Sequence, residues 1–494
     1  MGTISFRIPS CAMIREEEYR RVHVLGGDRI PRRSHATRRG DRLEVECETR
    51  EAVKIRFPFQ AGPNRQLMLT TCALRQGSKV EYGILPELAR GTLHRLKNVA
   101  ALCESAEIAL GPGILGYLEE ATHSFCEAVT SQHVPEEADR AAKRSLEHSL
   151  SAFEEIAPIY AEASRQFVAT HAPQRSFLLG VFLNDLPPVE LSPLLQKTFN
   201  TGVVQPIWKN CEPTPGKFDW SQVEQPFEYC RHRNVKTVVG PILRLDHLTT
   251  PDWLYLWDND FSELLARSTR FVEGVVRKFG GDTDFWYCAS GLNHCRTLNL
   301  TDEQQLHLLL SSIETIRKQE PRTPVLVSFD LPWGEYLASS DRELAPIHFA
   351  EELVRGGIGV SGIGLEMNLG RERGTSFFRD FFEVSDLLDQ WGMLGIPLFV
   401  SISVPSSWRA DPHAVYPLTE PPPENQRISR RWQRELVRKI LPAIATHPSV
   451  QGIFWNQASD EGPHLYPHSG LIDTKGRSKS VVEAIEELAR KYLK

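Results

Sequence analysis

Four carboxylates follow short apolar runs of the sequence and are the side chains best placed to do chemistry. They are Asp246, Asp330, Glu366 and Asp460. If the runs are neighbouring strands of one parallel sheet, the residues after them collect at one edge, with strands about 4.8 Å apart. Asp330 and Glu366 could then approach closely enough for one to act as a general acid and the other as a base or nucleophile. The alternative is that these carboxylates only accept hydrogen bonds at a polar edge.

Tryptophans are concentrated near the ends of the same apolar runs. They are Trp208, Trp253, Trp286, Trp333 and Trp455. A flat indole ring can cover the C–H face of a sugar while its N–H group bonds outward. The alternative is that these rings pack the ends of the strands, as buried tryptophans often do.

No metal or cofactor site is predicted. The histidines near strand ends, His294, His464 and His468, have a spacing that matches no metal-ligand motif. The cysteines, 9 in number, include no Cys-x-x-Cys pair and favour reduced, mostly buried thiols over a disulfide framework. The N-terminus has no apolar segment behind a basic start, so we expect a cytoplasmic protein without a secretory signal.

The composition is that of a soluble globular protein and argues against two classes of partner. A net charge of −6 over 494 residues gives no basic field, so nucleic acid is not an expected partner. No apolar run is long enough to span a bilayer, so a membrane is not expected either. The length predicts two or three domains and leaves the oligomeric state open.

Residues 173–494 alternate short apolar runs with helical patterns and predict an α/β fold, a (β/α)8 TIM barrel. The runs are nearly continuous in apolar residues, as expected for strands covered on both faces. They are 177–182, 203–208, 237–243, 285–289, 325–329, 363–367, 398–404 and 452–455. The proline-rich stretch between Trp408 and Trp432 predicts a long loop after the seventh strand, on the functional face of the barrel.

A small β-rich domain, predicted over 1–85, and a helical linker region, predicted over 86–172, precede the barrel. Apolar residues alternate with charged ones over 43–48 and again over 53–59, which predicts two strands forming a hairpin in a small sandwich. Such a domain would be a packing domain or a carbohydrate-binding module. The period then becomes helical, and Pro158 is expected to kink or end the third helix.

Several stretches of the barrel region resemble family-10 glycoside hydrolases, the xylanase family. Together they cover nearly all of 177–493 and follow the order of the family's motifs. The stretches are FNTGVVQPIWKNCEPTPGKFDW (199–220), VVGPILRLDHLTTPDWL (238–254), GIGLEMNL (362–369), and GIFWNQASDEG (452–462) followed by SGLIDTKGRSKSVVEAI (469–485). The resemblance implies a barrel directed at a β-linked poly- or oligosaccharide.

The positions that match the family's two catalytic glutamates carry other residues. Gly291 stands after the fourth strand and Ile402 lies in the seventh. Neither side chain can transfer a proton or attack an anomeric carbon, so the resemblance implies that the family's retaining mechanism is lost. Glu366 stands where the family has glutamine, and Asn368 stands where it has histidine.

The resemblance further implies a cleft that recognises a sugar. The residues expected to bind it are Gln205, Trp208, Asn293, Asn368 and Trp455. Any hydrolysis would use a relocated pair drawn from the four strand-end carboxylates. The alternative is a barrel that binds a carbohydrate or a protein partner without catalysis.

Overall fold

The structure is a computed structural model that describes residues 2–9, 16–62, 65–77, 80–172, 176–183, 197–295, 297–370, 375–416 and 428–492. The chain forms two units. The first contains Met1–His171, Trp333–Arg342 and Phe377–Val384, and the second contains Ala172–Pro332, Glu343–Ser376 and Ser385–Lys494. The strands and helices that precede the barrel in sequence therefore share the first unit.

The first unit contains two four-stranded sheets. Its strands are β1 (Gly2–Arg7), β2 (His23–Leu25), β3 (Pro31–Arg32), β4 (Ser34–Arg39), β5 (Arg42–Cys47), β6 (Lys54–Gly62), β7 (Arg65–Thr70) and β8 (Glu81–Gly83). One sheet has the order β4-β5-β1-β8 and the other has the order β3-β2-β6-β7. The Phe6 and Phe57 rings, one from each sheet, meet edge to face with centroids 5.2 Å apart.

The predicted hairpin between the strands at 43–48 and 53–59 is wrong. Strand β5 pairs with β1 and β4, whereas β6 pairs with β2 and β7 in the other sheet. Arg56 illustrates why the prediction failed. Its charge predicts a solvent-exposed face of the strand, but the side chain is buried and its Nη2 lies 3.3 Å from Glu383. A partner this distant in sequence gives no local signal.

Three helices complete the first unit: α1 (Ile84–Ser105), α2 (Pro112–Thr130) and α3 (Pro135–His171). Pro158 was expected to kink or end the third helix, and of these two outcomes the helix does not end there but continues to His171. Residues on its inward face, including Leu146, Leu150 and Phe153, supply the burial that holds the helix together. That packing offsets the backbone hydrogen bond that a proline inside a helix removes.

A buried network of charges lies within the first unit. Arg95 bonds to Asp380 and, through Nη1 at 2.6 Å, to Glu383. Arg379 is fully buried and bonds to Glu335 at 2.8 Å. Burial alone would raise the pKa of Glu383, but the surrounding arginines, Arg95 foremost, outweigh it and lower this pKa to about 2.

The second unit is a closed barrel of eight parallel strands, which confirms the predicted TIM barrel. The strands are β9 (Leu178–Phe182), β10 (Thr201–Val204), β11 (Lys236–Val239), β12 (Phe285–Ser290), β13 (Val325–Asp330), β14 (Gly362–Asn368), β15 (Leu398–Ser403) and β16 (Val450–Trp455). Each lies in or beside one predicted apolar run. The second predicted run, 203–208, begins two residues after the strand begins. It also extends past the end of the strand, because Trp208 begins a short helix.

The described helices of the barrel region are α4 (Trp208–Cys211), α5 (Ser221–His232), α6 (Phe261–Phe279), α7 (Asp302–Gln319), α8 (Pro346–Arg355), α9 (Phe381–Gly392), α10 (Arg430–Ala445) and α11 (Val481–Tyr492). Within the described residues, none of the helices is both long and apolar enough to cross a membrane. Part of the predicted proline-rich loop, residues 417–427, lies outside the described residues.

The interior of the barrel is apolar at one level and polar toward the carboxyl ends of the strands. The apolar level is a cluster of Leu178, Phe182, Val203, Val238, Tyr287, Leu326, Phe399 and Phe454. Along β14 the inward residues alternate with outward ones, so Glu366 and Asn368 face inward while Ile363 and Leu365 face the helices. Gly364 leaves room at this point, because a Cβ there would lie 2.5 Å from the Cβ of Ser328.

Candidate functional site

The carboxyl ends of β12, β13 and β14 place a polar cluster inside the barrel. Glu366 is central to it and only 2% exposed. Its Oε1 accepts hydrogen bonds from Ser290, at the end of β12, and from Ser328 of β13 at 2.6 Å. The Tyr287 hydroxyl lies 3.5 Å from the same oxygen. Both serines therefore hold the carboxylate in one position.

Arg244 is the cation of this cluster and lies between two carboxylates. Its Nη1 donates to Glu366 Oε2 at 3.0 Å and to Ser290 Oγ at 2.6 Å. Its Nε donates to Asp246 Oδ2 at 2.6 Å. The other oxygen of Asp246 accepts from the backbone N–H groups of Leu248 and Thr249 at 2.9 and 3.0 Å, so this aspartate also fixes the turn after it.

The charges in this cluster stabilise one another. Burial alone would raise the pKa of Glu366, but the Arg244 charge and the Ser290 hydrogen bond outweigh it and lower this pKa. Burial would lower the pKa of Arg244, but Glu366 and Asp246 keep it well above its ordinary value. For Tyr287, burial and then the negative charge of Glu366 raise the pKa. Glu366 is therefore ionised and Tyr287 neutral at neutral pH.

Asp330 and Asn368 form the next layer toward the open end of the barrel. Asp330 is the register partner of Glu366 and is half-buried. Asn368 Nδ2 donates to Asp330 Oδ1 at 3.4 Å and to the Tyr466 hydroxyl at 2.9 Å. Its Oδ1 accepts from Ser403 Oγ at 2.9 Å and from Asn456 Nδ2 at 2.7 Å. Asn368 thus ties together strands β13, β14 and β15 and the segment after β16.

Asn293 is buried and acts on the backbone. Its Nδ2 donates to the Asp330 carbonyl oxygen and its Oδ1 accepts from the Asp330 N–H, both at 3.0 Å. This residue, expected to bind a sugar, holds the end of β13 in place through these two bonds. Gly291 begins the same turn with φ of 65°, a conformation that favours glycine. A Cβ there would lie 3.6 Å from the Asp330 Cβ.

The seventh strand presents serines to the barrel interior. Ser403 donates to Asn368, and the alternation of side chains along the strand places Ser401 on the same inward face. Ile402 lies between them, fully buried, and therefore faces the helices. The interior position beside Asn368 is thus occupied by Ser403. A serine hydroxyl there donates a hydrogen bond and carries no charge.

Asp460 lies apart from the other candidate carboxylates. Its Oδ2 is 2.5 Å from Lys479 Nζ, and both side chains are buried. Its Oδ1 accepts from the Gly470 N–H at 2.7 Å and from Gln457 at 3.2 Å. This ion pair joins the segment after β16 to the residues just before α11, and the catalytic role expected for Asp460 stays a prediction.

The two tryptophans expected to contact a sugar are packing residues. Trp208 and Trp455 are each 1% exposed. The Trp208 ring stacks on Phe271 with centroids 4.8 Å apart, and its Nε1 donates to Glu212 at 2.7 Å. Trp455 Nε1 donates to the Ser469 carbonyl oxygen at 2.9 Å. Both rings are thus almost fully covered by the protein, and the sugar-binding role expected for them stays a prediction.

Gln205 is half-buried just after β10. Sequence reasoning missed Arg244, Ser403 and Tyr466. Arg244 had one signal: it is a cation at the end of an apolar run, two residues before a candidate carboxylate. Among the described residues, no group of three or more histidines, cysteines, aspartates or glutamates could hold a metal ion.

The fold is a (β/α)8 TIM barrel with a polar cluster at the carboxyl ends of its strands. No protein-family model matches the chain, and no curated protein matches it. Solved structures similar to it include a GH10 xylanase of Thermobacillus composti, with 17% identity and a TM-score of 0.45 over 64% of this chain and 97% of that chain. Xylanase 10B of Thermotoga maritima has 15% identity and a TM-score of 0.48 over 65% and 97%.

Xylanase 10C of Cellvibrio japonicus, solved in complex with xylopentaose, is also similar, with 12% identity and a TM-score of 0.48 over 64% of this chain and 67% of that chain. At such identities the similarity concerns the fold.

Proposed function

We propose that the barrel binds a β-linked oligosaccharide at its carboxyl-terminal face and does not hydrolyse it by a two-carboxylate mechanism. The observation that carries the proposal is the position of Arg244. It bonds to both Asp246 and Glu366 and so occupies the two strand-end carboxylates nearest to Asp330 with one cation.

Hydrolysis of a glycosidic bond needs two carboxyl groups with different roles. One must be protonated to donate to the leaving oxygen, and the other must attack the anomeric carbon or activate a water. Glu366 has a lowered pKa and stays ionised, so it is a poor acid. Both of its oxygens accept hydrogen bonds from buried donors, so it is also a poor nucleophile.

Asp330 is left as the candidate that faces the mouth of the barrel. One carboxyl group cannot serve as both acid and nucleophile in the same step. Asp246 is held by Arg244, Glu366 by Arg244 and Asp460 by Lys479, so each of the other three candidates is engaged in an ion pair and is poorly suited to act as the second catalytic carboxyl group. This arrangement supports binding over catalysis.

The polar layer around Asn368 suits the hydroxyl groups of a sugar. Asp330 and Asn456 are half-buried there and offer a charged acceptor and an amide. Asn368 and Tyr466 lie behind them and fix their positions. The xylopentaose bound by the Cellvibrio enzyme makes xylo-oligosaccharides the first ligands to test.

The experiment is calorimetric titration with xylopentaose and a panel of other β-linked oligosaccharides, together with an assay for new reducing ends. We expect binding without cleavage. Asp330→Asn should weaken binding roughly 10-fold or more, because a hydrogen bond to a charged group contributes about 1.5–3 kcal/mol. Asp282→Asn is the matched control, since Asp282 is exposed and precedes β12 at the opposite end of that strand.

New reducing ends that disappear in Asp330→Asn would contradict the non-hydrolytic proposal. If no glycan of the panel binds, the proposed carbohydrate ligand is contradicted and the alternative of a protein partner is favoured.

A further inference from the structure

We propose that His464, His468 and Asp411 form a pH-sensitive latch that fastens the segment after β15 to the segment after β16. The latch would regulate the ligand site proposed above, and that regulatory role rests on the proposed function. The latch itself rests on the hydrogen bonds of two imidazole rings.

The two segments meet side by side at the mouth of the barrel. The Val415 and Tyr416 N–H groups donate to the carbonyl oxygens of His464 and Leu465 at 2.9 and 3.0 Å. The His464 N–H donates to the His413 carbonyl oxygen at 3.0 Å. These backbone bonds set the register, while the side chains of the latch add a contact whose strength depends on protonation.

Both nitrogens of His464 face acceptors. Its Nδ1 is 3.0 Å from the Gly462 carbonyl oxygen, and its Nε2 is 3.0 Å from Asp411 Oδ2. A carbonyl oxygen and a carboxylate can only accept, so both contacts are hydrogen bonds only when both ring nitrogens carry protons. A neutral ring would turn a lone pair toward one of the two oxygens.

His468 makes one hydrogen bond through its ring and one longer contact with the same carboxylate. Its Nε2 is 2.9 Å from the Arg409 carbonyl oxygen, and its Nδ1 is 3.4 Å from Asp411 Oδ2. Its backbone N–H donates to the same carboxylate oxygen at 2.9 Å. Two rings thus face one buried carboxylate, His464 through a hydrogen bond and His468 through a longer ionic contact that needs a protonated ring.

The charge of Asp411 is maintained by this arrangement. Burial alone would raise its pKa, but the His468 backbone N–H and the charge of His464 outweigh it and lower this pKa. The carboxylate is therefore charged throughout the range in which histidines titrate. The latch therefore needs a charged Asp411 and protonated rings, and the loss of a ring proton weakens it.

The charged and titratable groups around the latch come from three segments. His413 lies beside His464 with ring centroids 6.4 Å apart. Lys479 Nζ donates to the His468 carbonyl oxygen at 2.9 Å and is itself paired with Asp460. Arg409 contributes its carbonyl oxygen, and its side chain is exposed. Asp460 is already paired with Lys479, so Asp411 is the carboxylate that compensates the charges of the two imidazolium rings.

The latch leads directly to the proposed ligand site. Tyr416, in the first segment, packs on Tyr466 of the second with ring centroids 5.8 Å apart. Tyr466 in turn accepts a hydrogen bond from Asn368. Release of the segment would separate Tyr416 from Tyr466 and so change the surroundings of the hydroxyl that bonds to Asn368.

The test is amide hydrogen exchange of residues 404–416 in the full chain, expressed as protection factors so that the intrinsic effect of pH cancels. We expect protection to fall at least 10-fold between pH 5.5 and pH 8.5. His464→Gln should reduce this dependence, and His464→Gln combined with His468→Gln should abolish it, because glutamine cannot gain a charge. His413→Gln, in the same segment, should keep it, since that ring takes no part in the bonds to Asp411.

Protection that stays constant over this range in the wild type would overturn the latch, as would equal effects of His464→Gln and His413→Gln. The same samples titrated with xylopentaose separate the two proposals. If the protection of residues 404–416 depends on pH but no ligand binds, the latch is supported and the proposed function is contradicted. If ligand binds but the protection stays constant, the proposed function is supported and the latch is contradicted.

Discussion

Replacement of Arg244 by methionine tests whether one cation holds the polar cluster together. Methionine keeps much of the apolar volume of the side chain but leaves Asp246 and Glu366 without the charge they share. Removing one member of a buried ion pair costs about 3–5 kcal/mol, because an uncompensated charge stays buried. The serines around Glu366 and the backbone donors around Asp246 remain, so we expect a loss of unfolding free energy in this range and not twice it.

The pH dependence of this loss has a defined sign. Without Arg244, burial becomes the dominant influence on Glu366 and raises its pKa above the ordinary value. The folded variant can then relieve the unpaired charge by taking up a proton. The difference in unfolding free energy between wild type and variant should therefore shrink as the pH falls from 7 to 5.

Urea unfolding at both pH values measures the effect. Arg431→Met is a matched control, because Arg431 lies on the surface in an exposed pair with Glu435, and we expect no measurable change. Glu366→Gln combined with Arg244→Met should cost less than the sum of the single changes. A loss below about 1 kcal/mol, or a deficit that grows as the pH falls, would refute the reasoning.

Two further changes test other parts of the structure. Glu383→Gln should cost roughly 3 kcal/mol of unfolding free energy at neutral pH, because it leaves Arg95 partly uncompensated. The pKa of Glu383 is lowered from 4.5 to about 2, so the difference in stability from wild type should be full above pH 4.5 and should disappear as the pH falls toward 2. Acid titration followed by circular dichroism measures this difference. Gly291→Ala should cost about 1–2 kcal/mol in thermal or urea unfolding, because its φ of 65° is unfavourable for alanine. Gly113→Ala, near the start of α2, is the control and should cost nothing; an equal effect at both positions would contradict the role of the backbone conformation.

The barrel was predictable because its strands are covered on both faces and are nearly continuous in apolar residues. The adjacency of Asp330 and Glu366 followed from the spacing of neighbouring strands, and the two are register partners in the sheet. Arg244 was not predictable in its role, since an arginine near a strand end gives no sign of whether it faces solvent or a buried carboxylate. The predicted hairpin of the first unit was wrong for a similar reason, because the actual strand pairing depends on contacts between distant parts of the chain.

Aromatic residues show the same limit of sequence reasoning. A tryptophan near a strand end can cover a sugar or fill a gap, and only its neighbours decide between the two. For Trp208 the deciding neighbours are Phe271, 63 positions further along the chain, and Glu212. Polar residues with a full set of partners, such as Asn293, are equally ambiguous until those partners are known.

The order in which the chain supplies parts to its two units affects how they can form during synthesis. Phe381 and Phe382, together with Asp380 and Glu383, belong to the first unit although they are encoded deep within the barrel region. A ribosome must therefore pass codon 384 before the amino-terminal unit has all of its parts. Neither unit corresponds to one uninterrupted stretch of the gene, so a fragment cut near residue 172 would separate Arg95 from the carboxylates that balance it.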